Sequence, residues 1–138
     1  MNVARLLDQL KIDEGFESKP YQDSLGVWTV GYGRNLDDVG ISESEAAQML
    51  RHDMQVAIDE CAAAMVFWPD LNDTRQEVLA NMMFNMGRGR FLGFKKMLAA
   101  LAVAEYDTAA DEMLDSRWAR QVKSRAKRLA AQMRAGEV

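Results

Sequence analysis

Glu14, Asp23 and Thr29 lie within the segment KIDEGFESKPYQDSLGVWTVGYG, separated by eight residues and then by five. Two carboxylic acids and a hydroxyl, held on separate rigid elements, match the needs of acid-catalysed glycoside cleavage. One carboxyl gives a proton to the departing oxygen, and the other stays charged beside an attacking water.

The elements that must hold them can be read locally. Asn2 is suited to cap a helix whose Val3, Leu6, Leu7 and Leu10 recur at helical spacing. Gly15 fits the position just beyond that helix, which puts Glu14 in its last turn. A carboxylate there meets the negative end of the helix dipole, which disfavours ionisation, as a general acid requires. Burial against Phe16 or Trp28 would act in the same direction, and a neighbouring arginine would oppose it. Pro20-Tyr21 enters an extended run, Asp23-Ser24-Leu25-Gly26 reads as a turn, and Val27 to Val30 alternates as a strand. Asp23 in a turn is expected to be exposed, hydrogen-bonded and ionised, with the Thr29 hydroxyl able to hold a water beside it.

Each residue also has a plain reading. Acids in last turns are usually solvated, Asp in turns usually serves the turn, and Thr in strands usually reflects strand preference. Only the joint spacing and the rest of the chain favour chemistry.

Across nearly its whole length the sequence resembles the phage lysozymes (endolysins) of the T-even type, which are peptidoglycan-cleaving glycoside hydrolases. The resemblance rests on IDEG at Ile12 to Gly15, Tyr21 with Asp23, and Thr29-Val30-Gly31-Tyr32-Gly33. It continues through NMMFNMG at Asn81 to Gly87, Gly93-Phe94, Ser116-Arg117-Trp118 and RAKR at Arg125 to Arg128. Glu-x8-Asp-x5-Thr is the family's catalytic signature. The resemblance implies that Glu14 protonates the glycosidic oxygen while Asp23 and Thr29 orient a water on the opposite face, as in inverting glycosidases. It implies further that Arg125 reaches towards the acid and Phe84 walls the sugar cleft.

Some positions depart from the pattern. Arg34 replaces a histidine whose acidic partner corresponds to Asp53, so an Arg34–Asp53 pair is expected in its place. Met97 and Glu112 replace polar cleft residues and Asn35 an apolar one, which leaves these three as substrate-binding candidates only by position. The connection from Asn35 to Ser42 is short and lacks a helix found in better-known members.

The fold implied is α+β and mainly helical: a small β-containing lobe over about residues 15–45, a bridging helix over about 42–66, and a helical lobe over about 67–138. That helical lobe would include the N-terminal helix, and a cleft would lie between the lobes. Composition agrees, since 138 residues at 49% hydrophobic with two prolines can bury a core as one domain. Ser42-Glu43-Ser44-Glu45 reads as a capping box opening the long helix, which Leu50, Met54, Ile58 and Cys61 continue and Trp68-Pro69 ends. Thr74 with Glu77 is expected to start the next helix, Leu79, Met82, Met83 and Met86 to form its apolar stripe, and Gly87 with Gly89 to close it. Further helices are expected over 94–103, 107–114 and 124–133. The 10 methionines read as core filler.

A single Cys61 and a single His52 exclude an internal disulfide and argue against a zinc or thiol–histidine site, so no metal and no cofactor is expected. Cys61 reads as an inert buried thiol. Arg5, Asp8 and Lys11 interrupt the first apolar stretch, and no run is long enough to span a bilayer. The expected setting is the host cytoplasm, with a separate holin-type protein opening the way to the wall.

Residues 117–134 carry seven bases and no acid within a chain of net charge −4. They either draw the protein to anionic peptidoglycan or form a solvated helix face. Peptidoglycan is the expected partner, with no nucleic acid, no stable membrane insertion and a monomeric state. Two alternatives stand beside hydrolysis. One is a lytic transglycosylase, which has no need of a water-holding pair, and the other a non-catalytic wall-binding module.

Overall fold

A computed structural model describes residues 1–138. The fold is mainly helical with one small antiparallel sheet, the α+β lysozyme-like class expected. Helix α1 (Val3–Glu14) is followed by strands β1 (Glu17–Gln22), β2 (Trp28–Gly31) and β3 (Arg34–Asn35). Helices α2 (Glu43–Ala64), α3 (Asp73–Leu92), α4 (Lys95–Ala102), α5 (Tyr106–Leu114), α6 (Arg117–Val122) and α7 (Ser124–Ala135) complete the chain. Two compact units result, Met1–Gln48 and Met49–Val138, with the boundary inside α2.

In the first unit, short-range hydrogen bonds set the helix ends. The Asn2 side chain accepts the Arg5 N–H at 2.9 Å, and the Gly15 N–H returns to the Lys11 carbonyl at φ +69°. The sheet order is β1-β2-β3, so β2 is the central strand and Pro20 sits on an edge, where its missing N–H costs no ladder bond. Tyr21 faces Thr29 across β1 and β2, and Thr29 faces Asn35 across β2 and β3. The pattern anticipated β2 but not the two-residue β3, which is too short to show alternation.

The capping box forms as expected: the Ser42 hydroxyl accepts the Glu45 N–H at 3.1 Å, and Glu45 Oε1 accepts the Ser42 N–H at 3.0 Å. Glu45 has a second role. Both its oxygens take hydrogen bonds from Arg34, at 2.9 and 2.5 Å, and Arg34 also donates to the Gly40 carbonyl at 3.1 Å. The acidic partner of Arg34 is therefore Glu45 and not Asp53. A carboxylate already fixed by the helix start is a better target for a guanidinium fork than one requiring a fresh ordering cost.

The second unit holds the apolar core, with Val78, Leu79, Met82, Phe91, Leu101 and Met133 among its fully enclosed side chains. Six of the ten methionines are buried there, which suits an unbranched side chain that fills irregular gaps. Cys61 is completely buried, and desolvation pushes its thiol up to about 12, so it is inert as expected.

Three expectations need correction. Helix α3 starts from an Asn72 cap, whose side chain accepts the Arg75 N–H, rather than at Thr74. It also continues past Gly87 and Gly89: Gly87 breaks the helical path at φ +80°, and the helix resumes to Leu92. Helix α6 was not anticipated, although Ser116 caps it in ordinary fashion at 3.0 Å from Ala119 N, because six residues are too few to show a period.

The Arg34 fork, and after it the hydrogen bonds from Ser42, hold the half-exposed Glu45 carboxyl down from its ordinary 4.5 to about 2. A carboxyl lowered on folding adds stability above its unfolded value, and that stability is lost as pH falls through the folded value. The melting-temperature gap between wild type and Glu45→Gln is therefore expected to be full at pH 6 and to close between about 4.5 and about 2. Thermal melts across that range test this, and added salt should narrow the gap because the pair is solvent-screened.

Candidate functional site

Glu14 is the last residue of α1, and its carboxylate rests against Gly33 in the β2–β3 turn. A Cβ on Gly33 would stand 2.6 Å from Glu14 Oε2 and 3.1 Å from its Cδ, so only glycine leaves the carboxylate where it is. Gly33 also has φ +74°, in the left-handed region that suits glycine. Two glycines thus frame Glu14: Gly15 ends its helix, and Gly33 makes room for its head group.

Asp23 opens the β1–β2 turn. Its Oδ1 accepts the N–H groups of Leu25 at 2.8 Å and Val27 at 3.0 Å, while Oδ2 takes no hydrogen bond from the protein. Asp23 is exposed and engaged with its own turn, as expected. Thr29, in the central strand, is 5% exposed and is the only buried polar residue of the chain. Its hydroxyl donates to the Val27 carbonyl at 3.0 Å, and the same carbonyl accepts the Asp23 N–H at 2.9 Å.

One backbone oxygen therefore joins Asp23 to Thr29. With the Thr29 proton committed to Val27, its hydroxyl oxygen can only accept from a further partner, and Asp23 Oδ2 likewise. Two acceptors of this kind, on residues tied to one backbone oxygen, would suit a water molecule, which has two protons to give and a lone pair left to attack.

Asn35 does not extend as a free side chain. Its Oδ1 accepts the Asp38 N–H at 2.9 Å and its Nδ2 donates to Asp38 Oδ2 at 3.1 Å, closing the loop after β3 on itself. The Val39 and Gly40 N–H groups both turn back to the Asn35 carbonyl. Asp53 lies exposed on α2 and forms no ion pair.

The remaining candidates lie in the second unit. Phe84 on α3 is 43% exposed, a large aromatic surface left facing solvent. Arg125 on α7 is half-buried and donates through Nε and Nη2 to Asn81 Oδ1, at 3.0 and 2.8 Å. Met97 is fully buried and belongs to the core. Both Met97 and the half-buried Glu112 also line a cavity of about 770 Å³, together with Lys95, Lys96, Asn85 and Trp118. The Trp118 indole N–H donates to Asn85 Oδ1 at 2.8 Å, and the Phe94 ring meets Trp118 edge-on at 6.3 Å. Sequence reasoning did not assign a role to Gly33, to the Val27 carbonyl or to this cavity. The Gly31-Tyr32-Gly33 run was the available signal for Gly33, since paired glycines mark positions that demand room or a positive φ.

Comparison with known proteins is consistent along the chain. Residues 11–135 match the family model described as phage lysozyme. A probable T4-type lysozyme 2 of Dictyostelium discoideum is 30% identical over 156 aligned residues, covering 92% of this chain and 92% of the relative. The endolysin of Salmonella phage P22 is 28% identical over 116 residues, covering 78% and 77%. The pre-baseplate central spike protein Gp5 of Enterobacteria phage T4 is 28% identical over 152 residues, 90% of this chain but 26% of that protein.

Gly33→Ala is expected to push the Glu14 carboxylate aside and to cost about 1–2 kcal/mol of stability from the left-handed backbone. Denaturant unfolding measures the second effect, and the carboxyl carbon shift of Glu14 in an NMR spectrum reads the first.

Proposed function

The chain belongs to the phage lysozyme family, and from that premise we propose that it hydrolyses the β-1,4 bond between N-acetylmuramic acid and N-acetylglucosamine in bacterial peptidoglycan. The observation that carries the proposal is the Val27 carbonyl, which accepts the Asp23 backbone N–H and the Thr29 hydroxyl and so leaves Thr29 Oγ, like the free Asp23 Oδ2, able to accept from a water.

In the proposed reaction Glu14 gives its proton to the glycosidic oxygen as the bond to the anomeric carbon breaks. A water donating one hydrogen to Asp23 Oδ2 and the other to Thr29 Oγ directs a lone pair at that carbon. As the new C–O bond forms, Asp23 takes the water's proton, and solvent exchange restores Glu14 acidic and Asp23 charged. A water held in this way, rather than a covalently attached carboxylate, supports inversion at the anomeric carbon.

Gly33 serves the first step by leaving space for the Glu14 head group, and the β1–β2 turn serves the second by fixing Asp23. Phe84, Glu112 and the cavity lined by Lys95 and Lys96 are proposed to contact glycan or its peptide stem. Wall lysis of a host, reached from the cytoplasm through a membrane lesion made by another protein, is the biological role proposed. The P22 relative's description as an endolysin supports it.

Glu14→Gln should reduce release of reducing ends from purified peptidoglycan by about 10²–10⁴-fold while leaving the circular dichroism spectrum unchanged. Equal clearing by both proteins would overturn the role of Glu14. Products ending in 1,6-anhydro sugars would replace hydrolysis by transglycosylation, and binding without cleavage by wild type would leave a wall-binding module.

A further inference from the structure

The short connection after β3 contributes Asp37, whose Oδ2 accepts the Trp28 N–H at 3.1 Å. This N–H belongs to the same peptide group as the Val27 carbonyl. A trans peptide points its C=O and N–H in opposite directions, so the group is held from both sides. On one side Asp23 N and Thr29 Oγ donate to its oxygen, and on the other Asp37 accepts from its nitrogen. The next carbonyl along, that of Trp28, accepts the Leu36 N–H at 2.8 Å, so neighbouring residues of one loop grip this residue twice.

From this geometry we infer that Asp37 is a positioning residue for the water site, acting through the Val27–Trp28 peptide plane. The inference rests on the hydrolytic reading of Asp23 and Thr29. Rotation of that plane would withdraw the carbonyl from the Asp23 backbone N–H and the Thr29 hydroxyl at once. The Thr29 hydroxyl proton would then turn outward, making Thr29 a donor where the reaction requires an acceptor. A carboxylate on the N–H also polarises the carbonyl beyond it, which strengthens the two bonds that converge there. Asp37 itself touches neither the proposed water nor the glycan in this scheme.

The test compares wild type, Asp37→Ala and Asp37→Asn by kcat and KM on soluble peptidoglycan fragments, with Trp28 amide exchange followed by NMR in the same folded proteins. Asp37→Ala is expected to lower kcat by about 100-fold with KM little changed, the scale of loss from a small misplacement of reacting groups. Its Trp28 amide should lose protection. Asp37→Asn keeps an acceptor oxygen and should stay within about fivefold of wild type in kcat, the difference between a charged and a neutral acceptor. Its Trp28 amide should remain protected.

Wild-type kcat in Asp37→Ala would overturn the inference while leaving the hydrolytic reading intact. So would equal loss in Asp37→Asn and Asp37→Ala, which would point to charge and not to the hydrogen bond. Wild type that releases no reducing ends would overturn the reading beneath it. If Asp37→Ala does not fold, Asp37→Ser, whose shorter side chain cannot span the same gap, takes its place with the same expected outcomes.

Discussion

The candidate site depends on one peptide group, that between Val27 and Trp28. Its oxygen accepts from the Asp23 backbone and the Thr29 hydroxyl, and its nitrogen donates to Asp37. Three hydrogen bonds meet at a group with only two soft neighbouring torsions, so a small rotation there disturbs all of them. The turn conformation of Asp23, the direction of the Thr29 proton and the seating of the loop after β3 form one problem with one solution. Thr29 is buried in the central strand, where an unsatisfied hydroxyl would be costly, and this favours the arrangement over its alternatives.

The connection from Asn35 to Ser42 meets that constraint without a helix of its own. Its first part is closed by Asn35 with Asp38, its middle is bonded to β2 through Leu36 and Asp37, and its end is held by Arg34 on the Gly40 carbonyl. Glu45 then links the connection to the helix it precedes, since it caps α2 and receives the Arg34 fork together. An arginine suits this role because its fixed fork satisfies both oxygens of one carboxylate and still reaches a carbonyl. A loop that looked merely shortened is thus a tie between sheet and helix.

The second unit solves a different problem, which is to enclose enough apolar surface. Its core draws on methionine, leucine and alanine from α3, α4, α5 and α7, with Trp118 sealing one edge through its bond to Asn85. The same tryptophan lines the cavity that Lys95, Lys96 and Glu112 share. The core and the wall of this cavity therefore overlap, and Met97 shows how far: it belongs to both.

Short-range features were legible in the residues themselves. The Asn2 cap, the Gly15 stop, the Asp23 turn and the Ser42–Glu45 capping box each depend on groups within four positions, where chain connectivity brings donor to acceptor. The types and spacing of Glu14, Asp23 and Thr29 pointed to the proposed chemistry, although they stand nine and six positions apart. The helix breaks were less legible, because Gly87 interrupts a path that core packing then resumes. Arg34 choosing Glu45, Asn35 turning to its own loop, Gly33 yielding space to Glu14 and Asp37 reaching Trp28 were decided only by the fold. Hydrogen bonds and steric contacts act over about 3 Å, and nothing in a linear pattern says which distant backbone groups will come that close.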